Sequence, residues 1–149
     1  MSSVIGFDYG ERRIGVAVGV LNIGTANPLT TISANTQGIP WDEIDKIIKE
    51  WQPSTLIVGC VEHNTQNNNL LKKKIRNFCD NLTTRYHVPV DTIDEAYSSA
   101  TAYEILKDMR CKGQRKKIKK TDIDKASAAI ILNSWLSANL DRIINKTNA

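Results

Sequence analysis

The sequence predicts an α/β domain of three layers, a mixed five-stranded sheet with helices on both faces. Three observations predict it. The chain opens on two apolar runs joined by a tight polar connection, the pattern of an antiparallel hairpin. Short apolar runs then alternate with stretches of helical periodicity, and a helix between two strands must cross over the sheet and leave them parallel. Finally, 149 residues, 41% of them hydrophobic, supply one substantial core and too little chain for two domains.

Residues 3–9 and 13–20 are the first two strands, connected through Tyr9-Gly10-Glu11-Arg12, and Ala26 to Ser33 is a weaker third. Pro40-Trp41-Asp42 opens a helix whose Ile44, Ile47, Ile48 and Trp51 share one face, and Pro53 ends it. Leu56-Ile57-Val58-Gly59 is a buried strand. After the polar stretch from Val61 to Asn69, a helix runs from about Leu70 to Tyr86 with Leu71, Ile75, Phe78 and Leu82 inward. Val88 to Ile93 is the last strand. Ser98 to Met109 forms a helix with Ala102, Ile105 and Leu106 inward. Asp122 to Leu140 forms another, burying Ile123, Ala126, Ala129 and Ile130 with Ile131 and Trp135. The Asn-rich end should fray, so the domain spans 1–140 and 141–149 is a tail.

Composition excludes several classes. There is no run of about eighteen apolar residues, and Met1-Ser2-Ser3 leads straight into a strand, so a soluble, cytoplasmic protein without a membrane partner is expected. Cys60, Cys79 and Cys111 are odd in number and lack ligand spacing, which argues for reduced thiols rather than disulfides or zinc. Trp41, Trp51 and Trp135 fall on apolar helical faces and are assigned to the core rather than to base stacking. His63, alone in a polar loop, is assigned to solvent, with orienting a water or phosphate as the sharper reading.

The net charge of +4 is unevenly distributed. Of the twenty Lys and Arg, seven lie between Arg110 and Lys120 with no acid among them: Arg110, Lys112, Arg115, Lys116, Lys117, Lys119 and Lys120. The thirteen others are outnumbered by sixteen Asp and Glu, so all the excess positive charge is in this segment. It is expected to be a mobile loop, with a polyanion as its partner or merely water around it. Arg12 and Arg13 in the first hairpin are candidate phosphate contacts or ordinary turn charges.

The acids point to chemistry. Asp8 ends an apolar strand, where a carboxylate is costly to bury without a positive partner. Tyr9 beside it falls on the opposite face by strand alternation. Asp94 and Glu95 follow the last strand. Asp124 begins the last helix with Ala128, Ile131 and Trp135 at i+4, i+7 and i+11, a spacing that turns it toward the sheet. Strand ends on such sheets carry sites, and three carboxylates from distant segments could converge there to hold Mg²⁺ for phosphodiester hydrolysis. Each acid also has a local role open to it. Thr121, three residues before Asp124, fits an N-cap with an acid at N3; Asp94 and Glu95 could complement a helix dipole; Asp8 could accept hydrogen bonds from the turn. Asp122 rivals Asp124 but lies off the buried face.

The strings Phe7-Asp8-Tyr9-Gly10-Glu11-Arg12-Arg13-Ile14-Gly15-Val16-Ala17-Val18-Gly19, Ile57-Val58-Gly59, Asp94-Glu95 before Ser98-Ser99-Ala100-Thr101-Ala102, and Asp124-Lys125-Ala126-Ser127-Ala128-Ala129-Ile130-Ile131-Leu132 resemble the YqgF/RuvX family of bacterial proteins, in order over Val4 to Leu140. The resemblance implies an RNase H-like fold of the RuvC type and a metal-dependent nuclease using Mg²⁺ (or Mn²⁺). It implies processing of the 5′ end of the 16S rRNA precursor, with an older family label of Holliday junction resolvase. Carried over, the metal-binding and catalytic acids are Asp8, Glu95 and Asp124, with Asp94 adjacent. The family's Arg after the Asp-Glu pair is Ala96 here, and its Gly-Leu-Pro is Gly59-Cys60-Val61. Losing that Arg removes a phosphate contact or a charge partner for the acids.

The expected function is therefore hydrolysis of structured RNA such as pre-16S rRNA, in ribosome biogenesis. The alternatives are resolution of branched DNA and nucleic-acid binding without catalysis. An actin-like or sugar-kinase activity, which also uses Asp-x-Gly, needs a second domain and is set aside. No dimerisation stripe is evident, so a monomer or weak homodimer is expected.

Overall fold

The computed structural model describes residues 3–21, 25–34, 38–60, 68–94 and 120–147. Five strands form one sheet in the order β3-β2-β1-β4-β5, from β1 (Ser3–Tyr9), β2 (Arg13–Val20), β3 (Thr25–Ser33), β4 (Thr55–Cys60) and β5 (Val90–Asp94). β1 and β2 pair antiparallel from Ser3↔Val20 to Tyr9↔Ile14, and β3 adds antiparallel to β2. β1, β4 and β5 run parallel. The C-terminal ends of β1, β4 and β5 therefore share one edge of the sheet with the start of β2.

Strand alternation separates two cores. Ile5, Phe7, Ile14, Val16, Leu56 and Val58 are buried against α1 (Trp41–Trp51) and α2 (Asn68–Tyr86), which supply Ile44, Ile75, Phe78 and Leu82. Val4, Ala17 and Ile57 are buried on the other face by Ala128, Ala129, Ile131, Leu132, Trp135 and Leu136 of α3 (Lys120–Thr147). Phe78 centres the first core, edge-on to Phe7 with ring centroids 5.5 Å apart and stacked on Trp41 at 5.8 Å. The three expected layers are present. No helix among the described residues is long and apolar enough to cross a membrane.

Several boundaries differ from the sequence expectation. β5 begins at Val90 rather than Val88, because His87 is left-handed (φ 54°) and its N–H donates to Thr83 O at 3.0 Å, closing α2. Pro89, with no N–H to donate, then delays the ladder. The last helix begins at Lys120, so Lys120 is helical rather than part of a loop. Thr121 lies inside the helix and not at an N-cap, so the capping-box reading of Asp124 fails. The helix also continues to Thr147 instead of ending near Leu140, since no Gly or Pro interrupts its hydrogen-bond ladder there. The helix expected over 98–109 lies outside the described residues.

A polar cluster ties α1 to the end of α2. Arg85 donates from Nε and one terminal nitrogen to the two Asp45 oxygens at 2.9 and 2.8 Å, and Tyr86 Oη donates to Asp45 Oδ1 at 2.6 Å. These donors, Arg85 first, hold the Asp45 carboxyl at about 2, below its ordinary 3.8. Because the folded value is the lower one, the cluster stabilises fully above about pH 4 and is lost as pH falls through about 2. Acid unfolding of Asp45→Asn is expected to lack this component, and raising the salt should narrow the difference between the two proteins. Identical acid-unfolding profiles would remove the cluster from the account of acid stability.

Candidate active site

The end of the sheet where β1, β4 and β5 finish carries two of the sequence-predicted acids, Asp8 on β1 and Asp94 on β5. Asp8 is the penultimate residue of β1. It pairs with Gly15 of β2 and shares a strand face with Val4 and Gly6, which lie against α3. It is half-buried and is not without a partner. Tyr9, on the other parity, packs against Phe78 at 5.1 Å, as strand alternation requires.

α3 seats its first turns directly on this edge. A Cβ at Gly15 would overlap the backbone carbonyl oxygen of Asp124, so only glycine at 15 lets the helix come so close. One at Gly6 would sit 3.0 Å from Leu132 Cβ. Further along, Ala26 N–H donates to Asn133 Oδ1 at 2.9 Å, and Trp135 Nε1 donates to Asp91 Oδ2 at 2.7 Å, pinning the helix to both sides of the sheet. The result places Asp124 over Gly15, the partner of Asp8. The backbone of Asp124 thus lies over the strand position paired with Asp8.

Arg13 completes this arrangement. Its Nε donates to Asp124 Oδ2 at 2.7 Å, with the two side chains 33% and 23% exposed. At that exposure solvent screens the pair, which contributes about 1 kcal/mol or less to stability. Its larger effect is on orientation, since a charge-assisted bond fixes where the carboxylate points. The sequence offers Arg13 as a phosphate contact or a turn charge; in the fold it is the ion-pair partner of Asp124. This pairing could not be read from spacing, because β2 and α3 are joined only in the fold. Arg12 is exposed in the connecting turn, and Asp122 pairs within its helix with Lys125 at 3.6 Å.

Asp94 closes β5 in register with Cys60. Glu95, His63, Ala96, Arg115, Lys116, Lys117 and Lys119 lie outside the described residues. Among the described residues no three metal-ligating side chains cluster. The carboxylate oxygens of Asp8 and Asp124 are nonetheless the hard donors that Mg²⁺ and Mn²⁺ select. Cys79, by contrast, is pushed up to about 11 by burial and by the charge of Asp80, which makes its thiol a poor nucleophile.

Known proteins share this architecture. The family model RuvX, described as "Holliday junction resolvase", matches residues 2–138. A relative from Methylobacillus flagellatus named "Putative pre-16S rRNA nuclease" is 38% identical over 132 residues, 89% of this chain and 88% of its own length. Among solved structures, T. thermophilus RuvC in complex with a Holliday junction substrate superposes with a TM-score of 0.59 at 17% identity, over 93% of this chain and 96% of that one. The fowlpox virus resolvase in complex with its junction DNA gives 0.57 at 11% identity, over 91% and 97%. These structural likenesses show the RNase H-like, RuvC-type fold.

Proposed function

Since the chain belongs to the RuvX family, we propose that it is a metal-dependent nuclease that hydrolyses phosphodiester bonds in pre-16S rRNA. The observation that supports this reading is the seating of the Asp124 backbone over Gly15, the strand partner of Asp8, at the end of the sheet where the parallel strands finish. Asp8, Asp124 and Glu95 would hold Mg²⁺ or Mn²⁺, with Asp94 adjacent. Asp91 hydrogen-bonds Trp135 of α3 and Ile93 packs against the same layer, so the strand that leads to Glu95 is held against α3. When bound, such an ion supplies activation of the attacking water and neutralisation of charge on the phosphate.

The protein's own groups do the rest. Arg13 holds Asp124 in one orientation and balances part of the negative charge of the acids, the role left open by Ala96. Arg12 is exposed for a backbone phosphate, and Arg115, Lys116, Lys117, Lys119 and Lys120 precede or begin α3, so their charge enters the chain just before Asp124. The protein would act in the cytoplasm. Resolution of branched DNA is the second reading, favoured by the fold shared with junction-bound resolvases.

Cleavage of an end-labelled pre-16S rRNA and of a four-way DNA junction, each with Mg²⁺ and with a chelator, tests the proposal. Cleavage of the precursor that disappears on chelation is expected. Cleavage of the junction alone would move the chain to the second reading, and binding without cleavage of either would leave a non-catalytic protein.

A further inference from the structure

On the opposite side of the sheet from Asp124, an open cleft of about 310 Å³ lies between α1, α2 and the hairpin turn. Tyr9, Ile39, Trp41 and Phe78 wall it; Glu11, Gly38, Lys74 and Asn77 rim it. Its size is at the low end of the range of about 300–1,000 Å³ for small-ligand sites, and its aromatic walls with few polar groups have their usual composition. Trp41 is only half-buried despite its place on an apolar helical face, and it also lines a smaller depression with Asn81, Thr84 and Arg85. Tyr9 follows Asp8 directly, so the cleft begins one residue from the candidate active site.

The surroundings are cationic. Lys72, Lys73, Lys74 and Arg76 occupy four of five successive positions in α2, a second basic cluster besides that at 110–120. Lys74 Nζ lies 3.2 Å from Glu11 Oε1, which anchors the hairpin turn to α2. Lys73, Arg76 and Asn77 are exposed. Aromatic walls suit the faces of a planar heterocycle, the Asn77 amide offers both a donor and an acceptor to its edge, and the cations suit flanking phosphates. A nucleobase with its backbone has all three features.

We propose that this cleft is a nucleobase subsite, which takes an unpaired base of the nucleic acid held at the Asp8 edge. The inference rests on the nuclease reading for the source of the base. It explains how a strand passing the sheet edge would be gripped on both faces, by α3 on one and by α2 on the other. Recognition by stacking selects single-stranded or bulged positions over continuous duplex, whose bases are already stacked.

The probe is a short single-stranded RNA carrying 2-aminopurine, titrated with the full-length protein in chelator so that nothing is cut. Binding should quench the probe, and Asn77→Ala should weaken it about three- to tenfold, the worth of one hydrogen bond. A blunt RNA duplex should bind both proteins equally. Trp41→Leu should act in the same direction; if it does not fold, exposed Asn77 carries the comparison alone. An unquenched probe, or an abasic strand bound as tightly as the intact one, overturns the subsite. Binding of adenosine monophosphate without binding of the RNA overturns the polynucleotide as its source. Binding sensitive to Asn77→Ala in a protein that cleaves nothing would sink the nuclease reading and leave the subsite standing.

Discussion

Asp8→Asn is expected to lower cleavage of the rRNA precursor by about a thousandfold, equivalent to roughly 4 kcal/mol of transition-state stabilisation, while leaving the fold intact. Asn keeps the size and shape of Asp at the end of β1 but removes the negative charge and one strong oxygen donor. A hard cation distinguishes strongly between those two groups. Asp8 is half-buried rather than part of either apolar core, so its melting temperature should move by no more than a few degrees. RNA binding in chelator should persist, because the cations that meet the backbone are elsewhere. Undiminished cleavage by Asp8→Asn would reject the carboxylate mechanism. A collapse of stability with the activity would instead make Asp8 a structural residue, accepting hydrogen bonds from its own turn.

Gly15→Ala is the second large effect, and it reaches the site through packing. The added methyl would overlap the Asp124 carbonyl, a backbone atom that no rotamer change can withdraw. Helix α3 must then rise from β2, loosening its contacts at Gly6 and Ala17 and separating Asp124 from both Arg13 and the Asp8 edge. Overpacking of this kind should cost about 3 kcal/mol or more, a fall in melting temperature of roughly 6–12 °C for a chain of this length. Activity should fall further than stability, since the folded fraction carries a displaced carboxylate. A melting temperature within a degree of the wild type would show that α3 is not seated on Gly15.

The strands and helices that bury one face were legible because each shows its period within a few residues. The β1–β2 hairpin matched its expected bounds for this reason, and α1 did so to within a residue. Boundaries governed by single backbone conformations were not legible. Nothing in its identity announces that His87 takes a left-handed conformation and ends α2, and Asn content is a weak guide to where α3 stops. The capping-box reading of Thr121 and Asp124 was locally sound and still wrong, because the helix starts earlier and Asp124 answers to Arg13.

By itself the sequence determined the three layers and the parity of Asp8 and Tyr9 on β1, which follow from periodicity and alternation, and it supplied the carboxylates on which the proposed chemistry rests. Only the tertiary structure decided that Gly15 serves as the seat of α3, that Arg13 holds Asp124, and that Tyr9, Trp41 and Asn77 surround one cleft. Those are relations between segments far apart in the chain. Periodicity reports which way a side chain faces; what it meets there is set by how closely the layers approach, and here a missing Cβ sets that distance.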